Sequence, residues 1–313
     1  MRVLVDMAHD VAAAVLPPEL RARLGRLTDP TDTPEHAEIL LTGWGHRWVL
    51  DRPTLAGAPA LRAVVHTGGS VKSLVTEATW ERGILVSAAA GINAGPVADY
   101  TVAAVLLAAK KALSAAAGGW PRFAARRGAD GTVVGVIGAS RVGRKVLARL
   151  HAAEAGYRLL LYDPYVSPAE AARLGARLLD LETLCRQCQV LTLHAPELPA
   201  TRGLLNAARL ALIPDGGTVI NTARGSLIDT EPLTRECAAG RLDAFLDVTD
   251  PEPLPAGHPL LSLPNVLVTP HIAGAQGSEA RRLGLFAVRE IERLVRGEML
   301  LGLVRPEELH RMA

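Results

Sequence analysis

The stretch TVVGVIGASRVGRKV, residues Thr132–Val146, decides the fold. An apolar run meets a glycine turn, and then Val142, Val146 and Leu150 recur every four residues, which reads as strand, tight turn and helix. Such a turn offers unbonded backbone N–H groups at a helix N-terminus, where a dinucleotide pyrophosphate binds. The pattern that serves there is G-x-G-x-x-G: one glycine for the turn, one to admit the phosphate, one to let the helix lie on the strand. Gly138 and Gly143 fill the outer positions, and Ser140 stands at the middle one. Serine adds only a hydroxymethyl group, and its hydroxyl is itself a donor to phosphate oxygen.

A lone fingerprint is weak, so its context matters. A dinucleotide site needs an acid about 20 residues on, at the end of the next strand, to hold the adenosine ribose. RLLLY (158–162) is that strand and Asp163 follows it, 20 positions after Gly143. A carboxylate there accepts from both ribose hydroxyls and repels a 2′-phosphate, which favours NAD over NADP. Taken alone, Asp163 before Pro164 is also an ordinary turn residue; the order strand, loop, helix, strand, acid selects the cofactor reading.

Working outward, QVLTL (189–193), GTVINT (217–222), LDAFLDV (242–248) and NVLVTP (265–270) continue the apolar runs, with helical patterns between them. Continuous apolar strands separated by helices predict a parallel sheet covered on both faces. The first 90 residues repeat this with RVLVD (2–6), EILLTG (38–43), LRAVVHT (61–67) and ILVS (84–87), without a glycine fingerprint. The segment 115–131 reads as a connection, and a last long helix spans roughly Ser278–Arg296.

The chain has 313 residues, 49% hydrophobic and 21% charged, with a net charge of +2. That suits a folded protein of two domains and gives no electrostatic case for nucleic acid. MRVLVDM ends as a strand at Asp6 and shows no signal-peptide pattern. The longest greasy helical stretch, Val102–Ala109, is too short to span a bilayer and runs into Lys110 and Lys111. The expectation is a cytoplasmic protein with no membrane partner. Cys185 and Cys188 form a C-x-x-C, but Cys237 stands alone and no second pair completes a zinc set, so structural thiols and no metal are expected.

INTARGSLID (220–229), LDVTDPEPLP (246–255) and VTPHIAG (268–274) each fall where a parallel strand ends. With these in order behind the glycine turn, the chain resembles the D-isomer-specific 2-hydroxyacid dehydrogenases, the group of glycerate, phosphoglycerate and D-lactate dehydrogenases. The likeness is good over about residues 60–285 and loose before it. It implies two Rossmann-like doubly wound parallel-sheet domains. A discontinuous flavodoxin-like substrate domain takes 1–94 and 281–313, and an NAD-binding domain takes 95–280, with the active site in the cleft. The activity implied is hydride exchange between NAD(H) and a small 2-hydroxy/2-oxo acid pair.

Reducing a 2-oxo acid requires a cation for the substrate, a proton for the forming alkoxide and a placed hydride. Arg224 has the planar fork for carboxylate or carbonyl oxygen. His271 is a proton donor near neutral pH, and Glu252 can hold its imidazolium form. By resemblance these are the substrate arginine, the acid/base and its glutamate partner. The resemblance also gives Ser140, Arg141 and Val142 to the pyrophosphate and His194, Ala195, Pro196 and Thr201 to the adenosine and phosphate side. Thr222, Ala223 and Asp247 fall near the nicotinamide, Asp247 orienting the carboxamide; capping a turn is its other reading.

The substrate loop departs from its relatives. Many of them read G-x-G-V-D-N where this chain has Gly68-Gly69-Ser70-Val71-Lys72-Ser73. The glycines and Ser70 still suit a substrate carboxylate held by backbone amides. Lys72 is either a second positive charge for a more acidic substrate or a solvated lysine on a first helical turn. Trp44 lies over the cleft or on the surface, and Thr249 replaces a frequent aromatic. The helix 91–112 supports either a homodimer, as in relatives, or packing within the chain. Two rival functions stand beside the dehydrogenase: a nicotinamide-sensing protein with little turnover, and an enzyme for a non-acid carbonyl.

Overall fold

The computed structural model describes residues 1–118 and 122–311. Contacts divide the chain into two units, Met1–Pro96 with the segment from Ala275 onward, and Val97–Gly274.

The first unit holds β1 (Arg2–Asp6), β2 (Asp29–Pro30), β3 (Ile39–Thr42), β4 (Ala63–His66) and β5 (Leu85–Ala88). Among the described residues they form one parallel sheet in the order β2-β1-β3-β4-β5. This is the flavodoxin-like order. Because side chains alternate across a strand, each strand feeds two cores. Ile39, Leu41, Ala63 and Val65 pack with Val15, Leu20 and the helix Ala280–Arg296 on one face. Leu40 and Val64 pack with Leu55, Leu74 and Val304 on the other. That is why these strands read as unbroken apolar runs.

One buried carboxylate secures the end of this unit. Glu290, on the inner face of Ala280–Arg296, accepts from Ser87 Oγ (2.6 Å), Leu301 N (3.1 Å) and Gly302 N (2.9 Å). It thereby joins β5 to the residues that follow the last long helix.

The second unit holds β6 (Val133–Ile137), β7 (Arg158–Tyr162), β8 (Ala176–Leu178), β9 (Val190–Leu193), β10 (Gly217–Asn221), β11 (Leu242–Leu246) and β12 (Val266–Val268). They form a parallel sheet in the order β12-β11-β10-β9-β6-β7-β8. The chain starts at the centre in β6, builds outward one way, then returns and builds the other way. The reversal at β6 and β9 is the switch point where such sheets bind ligands. Val134, Val136, Leu159 and Leu161 face the helix Arg141–His151, while Ile137 and Leu160 face Leu181–Gln187, so each face has its own core.

Three expectations need correction. The stretch Val102–Ala109, read as too short to span a bilayer, is the second half of the helix read at 91–112, which runs Ala90–Ala109 through Pro96. With mean hydropathy 1.4 it is long and apolar enough to cross a membrane, and half of it is buried inside the protein. The expected connection 115–131 begins as helix, since Ala112–Gly118 is helical, as its alanines favour; its residues 119–121 lie outside the described residues. Lys72 lies in a turn ahead of the helix Glu77–Glu81 and not on a helix. The three cysteines are buried and unpaired. Burial pushes the thiols up to about 11 at Cys185 and about 12 at Cys237, and higher still at Cys188.

Candidate active site

The glycine turn lies between β6 and the helix Arg141–His151. Gly138 has φ +95°, and a Cβ there would come within 2.8 Å of Ala195 N, so this position needs glycine for both reasons. A Cβ at Gly143 would overlap the carbonyl oxygen of Gly138. Ser140 is different: its backbone is extended (φ −66°, ψ −178°), which any residue adopts, and its Oγ caps the helix by accepting from Gly143 N at 3.3 Å. The N–H groups of Arg141 and Val142 follow at the helix N-terminus, where no acceptor exists within the helix. These N–H groups at a helix N-terminus are the donors a pyrophosphate needs, so the residues present fit a dinucleotide.

Asp163 sits directly after β7. Its Oδ2 accepts from Ala139 N (2.7 Å) and its Oδ1 from Tyr165 N (2.8 Å). The carboxylate therefore fixes the glycine turn, and each oxygen keeps lone-pair capacity for a ribose hydroxyl. On the other side, His194 follows β9 and is buried, with Nε2 3.0 Å from Thr192 Oγ1 and no partner for Nδ1 among the described residues. Burial pushes its pKa down to about 3, so the ring is neutral. Ala195 is buried against Gly138. Thr201 Oγ1 donates to Pro196 O (2.6 Å) and accepts from Leu198 N (2.9 Å), which shapes the loop that carries both.

The chemistry-bearing side chains extend from the ends of β10, β11 and β12. After β10, Thr222 Oγ1 lies 2.8 Å from Thr101 Oγ1, and Asn221 braces the turn through Ala223 N (3.0 Å) and Arg224 O (2.8 Å). Arg224 Nη1 donates to Ala223 O at 2.6 Å, which uses one of the guanidinium's five N–H donors. Gly225 packs against the Thr249–Asp250 peptide, so closely that a Cβ would overlap the Thr249 carbonyl. The arginine turn and the loop that carries Glu252 are thus in backbone contact.

After β12 comes His271, with φ +54°, a left-handed conformation that costs a non-glycine residue about 1–2 kcal/mol. Asp247, buried after β11, holds that conformation in place. Its Oδ1 accepts from Thr269 Oγ1 (2.7 Å) and Ile272 N (2.8 Å), its Oδ2 from Ala273 N (2.9 Å), and its carbonyl from His271 N (2.9 Å). Tyr100 OH bonds Thr269 Oγ1 at 2.7 Å and continues the network. The turn-holding role of Asp247 is therefore visible here, and the carboxylate has three of its four acceptor positions filled.

His271 Nδ1 lies 2.6 Å from Glu252 Oε1, with the side chains 52% and 41% exposed. A carboxylate only accepts, so Nδ1 carries the proton and Nε2 is the ring nitrogen free for chemistry. A pair this exposed adds at most about 1 kcal/mol to stability. Its consequence is orientation: the ring is held with Nε2 turned away from the carboxylate.

Gly68, Gly69 and Ser70 belong to the first unit and follow β4. A Cβ at Gly68 would meet His66 Nε2 at 2.5 Å, so the loop lies on that ring. His66 is buried with Nδ1 2.9 Å from Thr42 Oγ1, and burial, with His46 beside it, lowers its pKa to about 4. Ser73 Oγ bonds His46 Nε2 at 3.2 Å, tying this loop to the one after β3. Trp44 is partly exposed at 40%. Sequence reading left Asp247's hold on a turn as its second reading, and missed Gly225 and His66. The G in ARGS and the H in VVH were visible, but nothing local marked them.

A family model described as "D-isomer specific 2-hydroxyacid dehydrogenase, NAD binding domain" matches residues 103–273. D-3-phosphoglycerate dehydrogenase of Methanocaldococcus jannaschii is 33% identical over 277 residues, 86% of this chain and 52% of that protein. The chain thus spans about half the length of the curated relatives it matches. The structure of the TT0316 protein from Thermus thermophilus aligns with a TM-score of 0.79 at 31% identity, over 97% of this chain and 100% of that one. That of a D-isomer specific 2-hydroxyacid dehydrogenase from Xanthobacter autotrophicus, in complex with NADPH and MES, aligns with a TM-score of 0.77 at 25% identity, over 98% of each chain.

Proposed function

The chain belongs to the D-isomer-specific 2-hydroxyacid dehydrogenase family, and from that premise we propose that it interconverts a small 2-hydroxy acid and its 2-oxo acid. The observation that carries this is the 2.6 Å contact of His271 Nδ1 with Glu252 on a turn fixed by Asp247. When bound, the nicotinamide dinucleotide supplies the hydride in reduction and accepts it in oxidation. His271 Nε2 gives its proton to the carbonyl oxygen as the alkoxide forms, and takes it back in the reverse direction. Glu252 stabilises the imidazolium that this requires. Arg224 holds the substrate carboxylate and carbonyl oxygen, which fixes the carbon that changes oxidation state.

We further propose that NAD is preferred over NADP, because the Asp163 carboxylate would meet a 2′-phosphate with like charge. A homodimer is supported by Leu106 and Leu107, which are 43% and 44% exposed on the apolar helix. The deciding experiment is NADH oxidation at neutral pH across a panel of 2-oxo acids and neutral ketones, with His271→Ala alongside. Turnover on an acid that collapses in the variant is expected. Binding of NADH with no turnover would favour a sensing protein, and activity confined to neutral ketones would favour the non-acid enzyme.

A further inference from the structure

Between the cofactor side and the catalytic loops runs the segment after β9, and two of its side chains reach across. Glu197 Oε1 accepts from Ser226 Oγ at 2.6 Å, two residues beyond Arg224. Arg202 Nη2 donates to Asp250 Oδ2 at 2.9 Å, two residues before Glu252. Backbone bonds from Gly203 N to Ser226 O (2.8 Å) and from Leu205 N to Leu227 O (2.9 Å) hold the segment alongside the arginine turn. Asp250 is thus gripped twice, at its carboxylate by Arg202 and at its carbonyl by Thr230 Oγ1 (2.5 Å).

We propose that Arg202 is a positioning residue, which aims Glu252 at His271 by holding Asp250. The proposal rests on the dehydrogenase reading above. Arg202 and Asp250 are 64% and 41% exposed, where an ion pair adds at most about 1 kcal/mol, so stability alone gives no account of the contact. Glu252 stands between Pro251 and Pro253, whose rings restrict the backbone, and Leu254 beyond them is buried. A shift at Asp250 is therefore passed to Glu252 instead of being absorbed between them. The 2.6 Å bond to His271 leaves little room for such a shift.

The test compares Arg202→Ala, Arg202→Lys, Asp250→Ala and the double alanine variant, with two readouts. In turnover, each alanine variant is expected to lose about tenfold in kcat, at unchanged KM for NADH and unchanged melting temperature. The double variant should be no worse than either single one, and lysine should recover part of the loss. The second readout, NMR titration of the His271 ring, requires no activity. The charged groups on the loops around that ring are Glu252, Asp250, Arg202, Arg224 and Asp247. Removing the Arg202 cation would by charge alone raise the His271 pKa, whereas loosening Glu252 lowers it, so a fall supports the proposal. A rise or no change would overturn it, as would unaltered kcat, multiplying losses in the double variant, or a melting temperature that falls with kcat. If the wild-type protein turns over no acid, the functional reading has failed, and the titration still decides on Arg202.

Discussion

At Gly225 the absence of a single carbon lets the arginine turn touch the loop that carries Glu252. A Cβ there would overlap the carbonyl of Thr249 and come within 2.6 Å of Asp250 N, and backbone gives way less readily than a side chain. Gly225→Ala should push the 249–253 loop outward and part Glu252 from His271. We expect kcat to drop by about 10- to 100-fold, with about 1–3 kcal/mol lost from overpacking. Steady-state kinetics and urea unfolding would measure both, and an alanine variant with wild-type kcat would refute the contact's importance. The same scale shows why the site was only partly legible. Arg224, Glu252 and His271 announce themselves through short motifs at strand ends. Asp247's three bonds and Gly225's contact depend on which strand ends become neighbours, and no local spacing encodes that.

Among the elements, the helix Arg141–His151 answers the question raised by its missing glycine. Ser140 occupies a backbone conformation open to any residue and serves as the helix cap. Ser140→Ala should therefore cost about 1 kcal/mol and Ser140→Gly only a few tenths. NADH affinity should survive in the glycine variant, which calorimetric titration with thermal melting would show. Lost NADH binding in Ser140→Gly would mean that the hydroxyl, and not the backbone, carries the site. Most elements were legible for a plain reason: strands buried on both faces read as apolar runs, so Val133–Ile137 and Arg158–Tyr162 stand out. Asp29–Pro30, an exposed pair at a sheet edge, has no such signature. The helix Ala90–Ala109 was legible through its resemblance to a family helix at 91–112, in spite of Gly91, Gly95 and Pro96, whose poor propensity tertiary packing overrides.

For the molecule as a whole, each unit buries one neutral histidine beside a glycine-lined loop, His66 in the first and His194 in the second. Their folded pKa values are about 4 and about 3, against an ordinary value of 6.5. Below pH 6.5 the unfolded chain takes up protons that these rings refuse, so stability falls as the pH drops. The loss stops growing only below each folded value. For His66 alone the full penalty is about 3 kcal/mol. Urea unfolding from about pH 7 to pH 4 should show midpoints declining throughout, and His66→Gln should flatten part of that slope while lowering stability at neutral pH. A pH-independent midpoint across this range would count against both buried rings.

The Glu290 anchor has a consequence for the order in which the chain takes shape at the ribosome. The first sheet is synthesised ahead of Val97–Gly274, yet the carboxylate that locks β5 and the segment it binds, Leu301 and Gly302, come only after that unit. From Pro96 to Gly302 some 206 residues intervene, about 10–40 s of translation at roughly 5–20 residues per second. During that interval Val97–Gly274 can complete its own core. The first 96 residues meanwhile wait with the face that Ala280–Arg296 will cover still open to solvent, and so to chaperones.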